Sequence, residues 1–480
     1  MRISEKLRQI LCLDDDQYQD LEHPLTREIF RDYDIRGIFG ETLFPEHAYK
    51  IGRAFGTYLY RKNLTKMCVG NDCRNSSNVL TKELINGLTK AGAEVIELGT
   101  CHTPMMYYTV NKFDLHAGIM VTGSHNPAEY NGFKFMLGKD PFYGEDIKEI
   151  ESMIRKKDFV ESDGREIILN DIFVRYVKDI LAGFEFPDNM RVAWDIGNGA
   201  TSNVIREIVT RIPGQHHVLF EEMDGNFPNR PPDPTVIENI AYLRKFVDYN
   251  KFDLGFAFDS DGDRLCVVNS KGQMLYSDQV LEVFASDFLK NNPGAQVISD
   301  VKSCSRVFRK IKEFGGTPIM EKVGHSFIKA RMKQTGALLA GEMSGHFFFK
   351  DRWFGFDDGV YAALRCLESF GKDRNVFNNL SYGFVTPEIR VNCSEEEKFF
   401  IIESIKKKLS DQKINFIDID GVRVSNEKGW WLIRASNTQS AISIRAEADK
   451  EIYMKSLLDE IASYLNPFIE DIKEILEIYE

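Results

Sequence analysis

One supersecondary pattern recurs along this chain and limits its fold more than any other feature. An apolar strand ends in a polar tip, a helical stretch follows, then a glycine, then a second strand. The first copy, from Met67, reads MCVGNDCR, LTKELINGLTKAG and AEVIELG. The second, from Arg191, reads RVAWDIGNGA, TSNVIREIVTRIPG and HHVLFEE. The third, from Ala295, reads AQVISDVKSC, SRVFRKIKEFGG and TPIMEKVG. Repetition of this kind predicts parallel sheets covered by helices. Copies roughly 120 residues apart suit three α/β domains better than one large sheet. The C-terminal part changes character. TPEIRVNCS, FIDIDGVRV, KGWWLIRAS and AISIRAEA alternate apolar with polar, and helical stretches SEEEKFFIIESIKKKLSD and DKEIYMKSLLDEIASYL lie among them. That pattern predicts an α+β domain, an antiparallel sheet with helices on one face. Pro467 breaks the last long helix, and FIEDIKEILEIYE starts another.

Composition excludes some tasks. The 480 residues carry 73 acidic against 61 basic side chains, a net charge of -12. This argues against coating nucleic acid or an anionic membrane, although one pocket can differ from the average. No apolar run is long enough to span a bilayer, and the N-terminus reads as neither signal nor transit peptide. The 8 cysteines form no C-x-x-C pair, which suits a reducing, cytoplasmic setting.

Four loops carry the chemistry. Thr122-Gly123-Ser124-His125-Asn126-Pro127 follows an apolar strand. It is either an ordinary turn or a nucleophilic Ser124 presented at a strand end. Asn126 and Pro127 remove the G-x-S-x-G elbow, so acyl transfer is disfavoured. Asp259-Ser260-Asp261-Gly262-Asp263-Arg264 places carboxylates at i, i+2 and i+4, which project to one side of an extended segment. Such a set repels itself unless a cation sits within it, and hard oxygens favour Mg²⁺ or Ca²⁺. An EF-hand is excluded, because Arg264 and Ser270 stand where its Gly and Glu belong. A solvated acidic turn is the alternative. Gly341-Glu342-Met343-Ser344-Gly345-His346 mixes an acceptor, a hydroxyl and an imidazole, suited to a polyhydroxylated ligand or to a plain polar turn. Arg434-Ala435-Ser436-Asn437-Thr438, with Arg445 on the next strand, suits a phosphate cradle or again a polar turn. Together the loops describe one task, and four domains around a central cleft would bring them to it.

The same residues carry a resemblance. In order, Tyr33-Asp34-Ile35-Arg36-Gly37, TGSHNP with Tyr130-Asn131-Gly132-Phe133-Lys134, DSDGDR, Asp300-Val301-Lys302, Val323-Gly324-His325, GEMSGH and RASNT resemble the phosphohexomutase superfamily, in its phosphomannomutase/phosphoglucomutase class. The resemblance spans residues 25 to 465. It implies three similar mixed α/β domains and a C-terminal α+β domain. The expected boundaries are an extension over 1–24, a phosphoserine-loop domain over 25–170, a metal-loop domain over 171–272, a sugar-specificity domain over 273–382 and a phosphate-binding domain over 383–480.

The resemblance also implies roles. Ser124 would carry a phosphoryl group, and Asp259, Asp261 and Asp263, with Ser124, would hold Mg²⁺. Arg36, Lys134 and Arg264 would stabilise the transferring phosphoryl. Glu342 and Ser344 would contact sugar hydroxyls, and Tyr33 and Lys302 would also touch substrate. Arg434, Ser436, Asn437, Thr438 and Arg445 would hold the phosphate that is not reacting. His125 and His346, with His325, stand for proton transfer or ligand contact. The implied partners are hexose phosphates, with hexose 1,6-bisphosphate as intermediate and activator and the enzyme as monomer or weak dimer. The chain departs from the family pattern at Asn71, Gln439-Ser440 and Ala446, none of them a presumed catalytic side chain. Two rivals are an amino-sugar phosphate mutase and an inactive sugar-phosphate-binding regulator. Met343 and the Ser-Asn-Thr loop favour mannose or glucose over the first; Ser124 with the intact carboxylates opposes the second.

Overall fold

A computed structural model describes residues 23, 25–169, 171–380, 383–436 and 440–479. They form two compact units. One holds the described residues up to Leu275 together with Ser344–Lys372. The other holds Tyr276–Met343 and the described residues from Asp373 onward. The GEMSGH loop is therefore divided, with Glu342 and Met343 in the second unit and Ser344 to His346 in the first.

In the first unit, one sheet runs across Ile35–Ile38, Tyr130–Leu137, Ala117–Val121, Lys66–Asn71, Glu94–Thr100 and Arg165–Ile167. Lys66–Asn71 pairs in parallel with Glu94–Thr100 and Ala117–Val121, because helices Ser77–Lys90 and Thr103–Lys112 carry the chain back. Parallel pairing then stops. Tyr130–Leu137 runs antiparallel to Ala117–Val121, since the Thr122–Glu129 connection is too short for a crossover, which takes roughly a dozen residues. The second repeat does the same. Arg191–Asp195 is parallel to Gln215–Leu219 and Leu254–Phe258, but Leu254–Phe258 is antiparallel to Leu265–Asn269. The parallel sheets expected from the repeat are thus mixed in both cases, and the change of direction falls at the two loops singled out above.

The first core packs Val69, Ile119, Val121, Phe133 and Phe135 with Ile51, Phe55, Leu84 and Leu88 of the helices Pro45–Arg61 and Ser77–Lys90. These two helices cross closely at glycines. A Cβ on Gly52 would lie 2.3 Å from Leu84 O, and one on Gly87 would lie 2.2 Å from Tyr49 O.

In the second unit, Gln296–Asp300 pairs in parallel with Thr317–Glu321 and Leu339–Gly341. The C-terminal sheet is antiparallel, ordered Phe384–Val385, Ala441–Ala448, Gly429–Ala435, Val422–Asn426 and Phe416–Ile417, with Ile389–Asn392 also on Ala441–Ala448. Trp431 and Ile433 pack with Ile405 and Leu457 of the helices Glu395–Asp411 and Glu451–Leu465. Trp430 and Leu432, on the opposite face, cluster with Val301. The helices lie on one face, as the alternation predicts. The helix Glu451–Leu465 ends before Pro467, and Ile472–Glu477 forms the next. Among the described residues no helix is long and apolar enough to cross a membrane.

Candidate active site

The two loops at which the first unit's sheets reverse direction meet at Ser124. Its Oγ donates to Asp259 Oδ2 at 3.0 Å and lies 3.4 Å from His125 Nδ1. Ser124 has φ +48°, a left-handed conformation that costs a side-chain-bearing residue roughly 1–2 kcal/mol. The loop holds it there. Ser124 N–H donates to Thr122 Oγ1, and the Thr122 hydroxyl donates to Asp72 Oδ2.

Asp259, Asp261 and Asp263 have no solvent exposure, and one oxygen of each lies within 4.8 Å of the others. Lys134 Nζ donates to Asp261 Oδ2 at 2.8 Å and also to Asp263 Oδ2. Thr103 Oγ1 donates to Asp261 as well. Asp261 Oδ1 and Asp263 Oδ1 take no hydrogen bond among the described residues. Burial, and then Asp261 and Asp263, push the Asp259 carboxyl well above the ordinary carboxylate range. Burial would raise Asp261 too, but Lys134 and Thr103 hold it below that range. A close, buried set of hard oxygens, two of them without hydrogen bonds, fits a divalent cation of the Mg²⁺ class.

Cations surround this cluster. Arg264 Nε is 3.8 Å from Asp259 and donates to His346 Nε2 at 3.1 Å. The far ring nitrogen, His346 Nδ1, lies 2.9 Å from Asp357 Oδ2 and 3.6 Å from Asp263 Oδ1. Arg36 Nη1 donates to Asn126 Oδ1 at 2.6 Å, and its Nη2 is paired with Asp34. Burial, then Arg264, Arg36 and Lys134, push the His125 imidazole far below its usual range, so its ring is neutral. Tyr33 is half-buried and contributes to the field at Arg264.

The second unit holds the remaining candidates. Asp300 braces two loops, accepting Lys302 N–H at 2.7 Å and Met343 N–H at 2.7 Å. Lys302 Nζ is 3.5 Å from Glu388. Glu342 Oε1 accepts Gly324 N–H, which seats the carboxylate beside His325 at the start of the helix His325–Thr335. Arg434 Nε donates to Asp420 Oδ2 at 3.1 Å, while its Nη2 has no acceptor among the described residues. Ser436 is buried, its backbone bonded to Ala441 O and Lys398 Nζ. Arg445 donates to Lys302 O at 2.9 Å and sits over the Tyr276 ring. Asn437 and Thr438 lie outside the described residues.

Ser124, His125, Arg36, Lys134, Asp259, Asp261, Asp263, Arg264 and His346 are therefore brought together in the first unit. Lys302, His325, Glu342, Arg434 and Arg445 lie in the second, and Ser344 is the first residue of the segment that returns to the first. Sequence reasoning missed Asp72, Arg74, Thr103, Asp357 and Glu388. Asp72 and Arg74 stood in view at the polar tip of the first repeat. Nothing in the sequence marks Asp357 as facing His346.

Comparison with known proteins identifies the family. Family models of phosphoglucomutase/phosphomannomutase match alpha/beta/alpha domain I at residues 27–161, domain II at 173–272, domain III at 276–381 and the C-terminal domain at 388–463. A phosphomannomutase/phosphoglucomutase of Pseudomonas aeruginosa is 43% identical over 431 residues, covering 89% of this chain and 93% of that protein. A phosphoglucomutase of Neisseria gonorrhoeae is 42% identical, covering 89% and 94%. The crystal structure of a phosphoglucomutase/phosphomannomutase family protein from Burkholderia thailandensis superposes with a TM-score of 0.87 at 36% identity, over 92% of this chain and 98% of that one. With matches to all four of its domains, this chain belongs to the phosphoglucomutase/phosphomannomutase family.

Proposed function

We propose that this protein is a phosphohexomutase that interconverts hexose 6-phosphate and hexose 1-phosphate, with mannose, glucose or both as the sugar. The reaction runs through phospho-Ser124 and a bound hexose 1,6-bisphosphate. The observation that carries this reading is the Ser124 hydroxyl 3.0 Å from Asp259, at the head of a buried three-carboxylate cluster. The four domains follow the boundaries 25–170, 171–272, 273–382 and 383–480, which the family matches support.

In the forward step a substrate hydroxyl oxygen attacks phosphorus. The new O–P bond forms as the Ser124 Oγ–P bond breaks, and the substrate hydroxyl proton is relayed through an imidazole, His125 or His346, so that Ser124 Oγ leaves as a neutral hydroxyl. The bisphosphate then reverses, and its other phosphoryl returns to Ser124 Oγ. Such transfers ask the protein for in-line placement and charge neutralisation. Asp259, Asp261 and Asp263, with Ser124, would hold Mg²⁺, which supplies positive charge to the phosphoryl oxygens. Lys134, Arg36 and Arg264 add fixed positive charge without reorganising. Glu342 and Ser344 read sugar hydroxyls, with Tyr33, Lys302 and His325 as further contacts. Arg434, Ser436, Asn437, Thr438 and Arg445 anchor the remote phosphate. The seven described cysteines are free, which supports a cytoplasmic setting.

The test is a coupled assay of the purified chain with mannose 1-phosphate, glucose 1-phosphate and glucosamine 1-phosphate, with intact mass before and after treatment with glucose 1,6-bisphosphate. Turnover of the first two, with one added phosphoryl that Ser124→Ala removes, is expected. Full activity in Ser124→Ala would end the phosphoserine reading. Preference for glucosamine 1-phosphate would move the protein to the amino-sugar mutases.

A further inference from the structure

Arg74 touches none of the groups assigned to the reaction by its side chain, yet it underlies the nucleophile loop. Its side chain is wholly buried. Nε donates to Asp72 Oδ2 at 3.1 Å. Nη1 donates to Pro127 O at 2.5 Å and to Tyr130 O at 3.0 Å. Nη2 donates to Ser124 O at 2.5 Å and to Asn126 O at 2.6 Å. A guanidinium has five N–H groups in a fixed plane, and here each has an acceptor, four of them carbonyls of the Ser124 loop and the first residue of the strand after it. Asp72 completes the frame. It accepts from Arg74 N, the Ser77 hydroxyl, the Thr122 hydroxyl and Gly123 N.

The loop is shaped to this plane. A Cβ on Gly123 would lie 2.6 Å from Arg74 Cζ, so only glycine lets the backbone approach. The Phe227 ring centroid lies 5.0 Å from that Cζ and closes another side. Peptide C=O and N–H point in opposite directions across a trans bond. With Ser124 C=O turned to Arg74, the His125 N–H faces away from it. Packing alone would be met by an apolar side chain without the cost of burying a charge. A five-pronged polar anchor selects one loop conformation, the one in which Ser124 is left-handed and its hydroxyl meets Asp259.

We propose that Arg74, tied down by Asp72, is a positioning residue for phosphoryl transfer: it imposes the strained conformation of the Ser124 loop and so places Oγ at the carboxylate cluster. The inference rests on the mutase reading above. Lysine cannot replace it, because an ammonium is a point donor on a flexible stem and cannot fork to four carbonyls.

The test uses the full chain and the variants Arg74→Lys, Arg74→Ala and Gly123→Ala. Kinetics with glucose 1-phosphate are paired with amide hydrogen exchange of the peptide spanning 121–132. Arg74→Lys is expected to lower kcat roughly 100-fold, as misplacement of a reacting group by about 1 Å does. KM should stay within about threefold, the pattern of an interaction realised in the transition state. Exchange should quicken in 121–132 and not in 254–269. Guanidinium ion should partly restore Arg74→Ala, where ammonium does not, and Gly123→Ala should reproduce the Arg74→Lys pattern. Wild-type kcat in Arg74→Lys, unchanged exchange in the loop, or exchange rising alike in both peptides would overturn the proposal. A wild type without mutase activity would sink the functional reading, and the exchange comparison would still decide whether Arg74 holds the loop.

Discussion

Asp358, next in sequence to Asp357, is buried with no solvent exposure. Its carboxylate accepts the Tyr176 hydroxyl at 2.9 Å and Tyr361 N–H at 2.9 Å. Burial outweighs these bonds and pushes its pKa up from 3.8 to about 7. Between those values the folded protein keeps a proton that the unfolded chain releases, so stability falls as pH rises from 4 and levels off above the folded pKa. The full penalty for ionising the group in place is about 4 kcal/mol at 1.36 kcal/mol per unit. Between pH 5.5 and 8.5 about 2 kcal/mol of it is incurred. Asp358→Asn keeps the shape, cannot ionise, and should remove that part of the pH slope. Thermal unfolding of both proteins at the two pH values measures it. Wild type should lose about 5 °C more than the variant across the interval, taking roughly 2–4 °C per kcal/mol for a unit of this size. Parallel curves for the two proteins would show that Asp358 titrates as an ordinary carboxylate and that its burial is not felt.

Two further predictions concern metal and packing. Mg²⁺ should raise the melting temperature of wild type, because a ligand at about 100 times its Kd stabilises by about 2.7 kcal/mol; Asp261→Asn should shrink that rise, and an equal rise in both would remove the cluster from the metal site. Gly87→Ala should cost about 1–3 kcal/mol in a denaturant titration, the usual penalty of overpacking, since its Cβ would collide with Tyr49 O at 2.2 Å; an unchanged midpoint would mean the helices separate freely.

The parts of this fold that could be read from sequence are those dictated by local period and turn chemistry. The strand–helix–strand repeats, the alternating C-terminal strands and the stop at Pro467 all depend on residues close in the chain. Loops with several chemical groups in succession, such as DSDGDR, also announce themselves. What stayed hidden depends on chain reversal. Asp357 and His346 are separated by a turn and the short strand Phe347–Phe349, and no periodicity tells that their side chains face each other. Glu388 is a similar case. It lies in an unremarkable TPEIR stretch, yet Lys302, Arg390 and Arg434 outweigh its burial and keep it strongly acidic. It balances cations from three places, Arg390 beside it in sequence, Lys302 just past the strand Gln296–Asp300 and Arg434 on Gly429–Ala435.

The parallel-to-antiparallel switch explains why Asp72, Arg74 and Thr103 cluster where they do. Arg74 follows the strand Lys66–Asn71, Thr103 follows Glu94–Thr100, Ser124 follows Ala117–Val121 and Asp259 follows Leu254–Phe258. All four strands are parallel members of their sheets, and each residue leaves a carboxyl end, where open α/β sheets place their ligand crevices. Two of these ends continue into helices, which consumes the chain in crossovers and leaves single side chains, Arg74 and Thr103, to brace the site. The other two continue into tight reversals, which keep several successive residues at the tip. Nucleophile and carboxylate cluster occupy the reversals because each needs a run of neighbouring groups. The braces occupy the crossovers because each needs only one side chain and a rigid base. Ser77 Oγ donates to Asp72 from the first turn of its helix, so the base beneath Arg74 is itself a helix start. Replacing Ser77 by alanine removes one of the bonds that hold Asp72 and, by this logic, should loosen the Ser124 loop in the same sense as Arg74→Lys but more weakly.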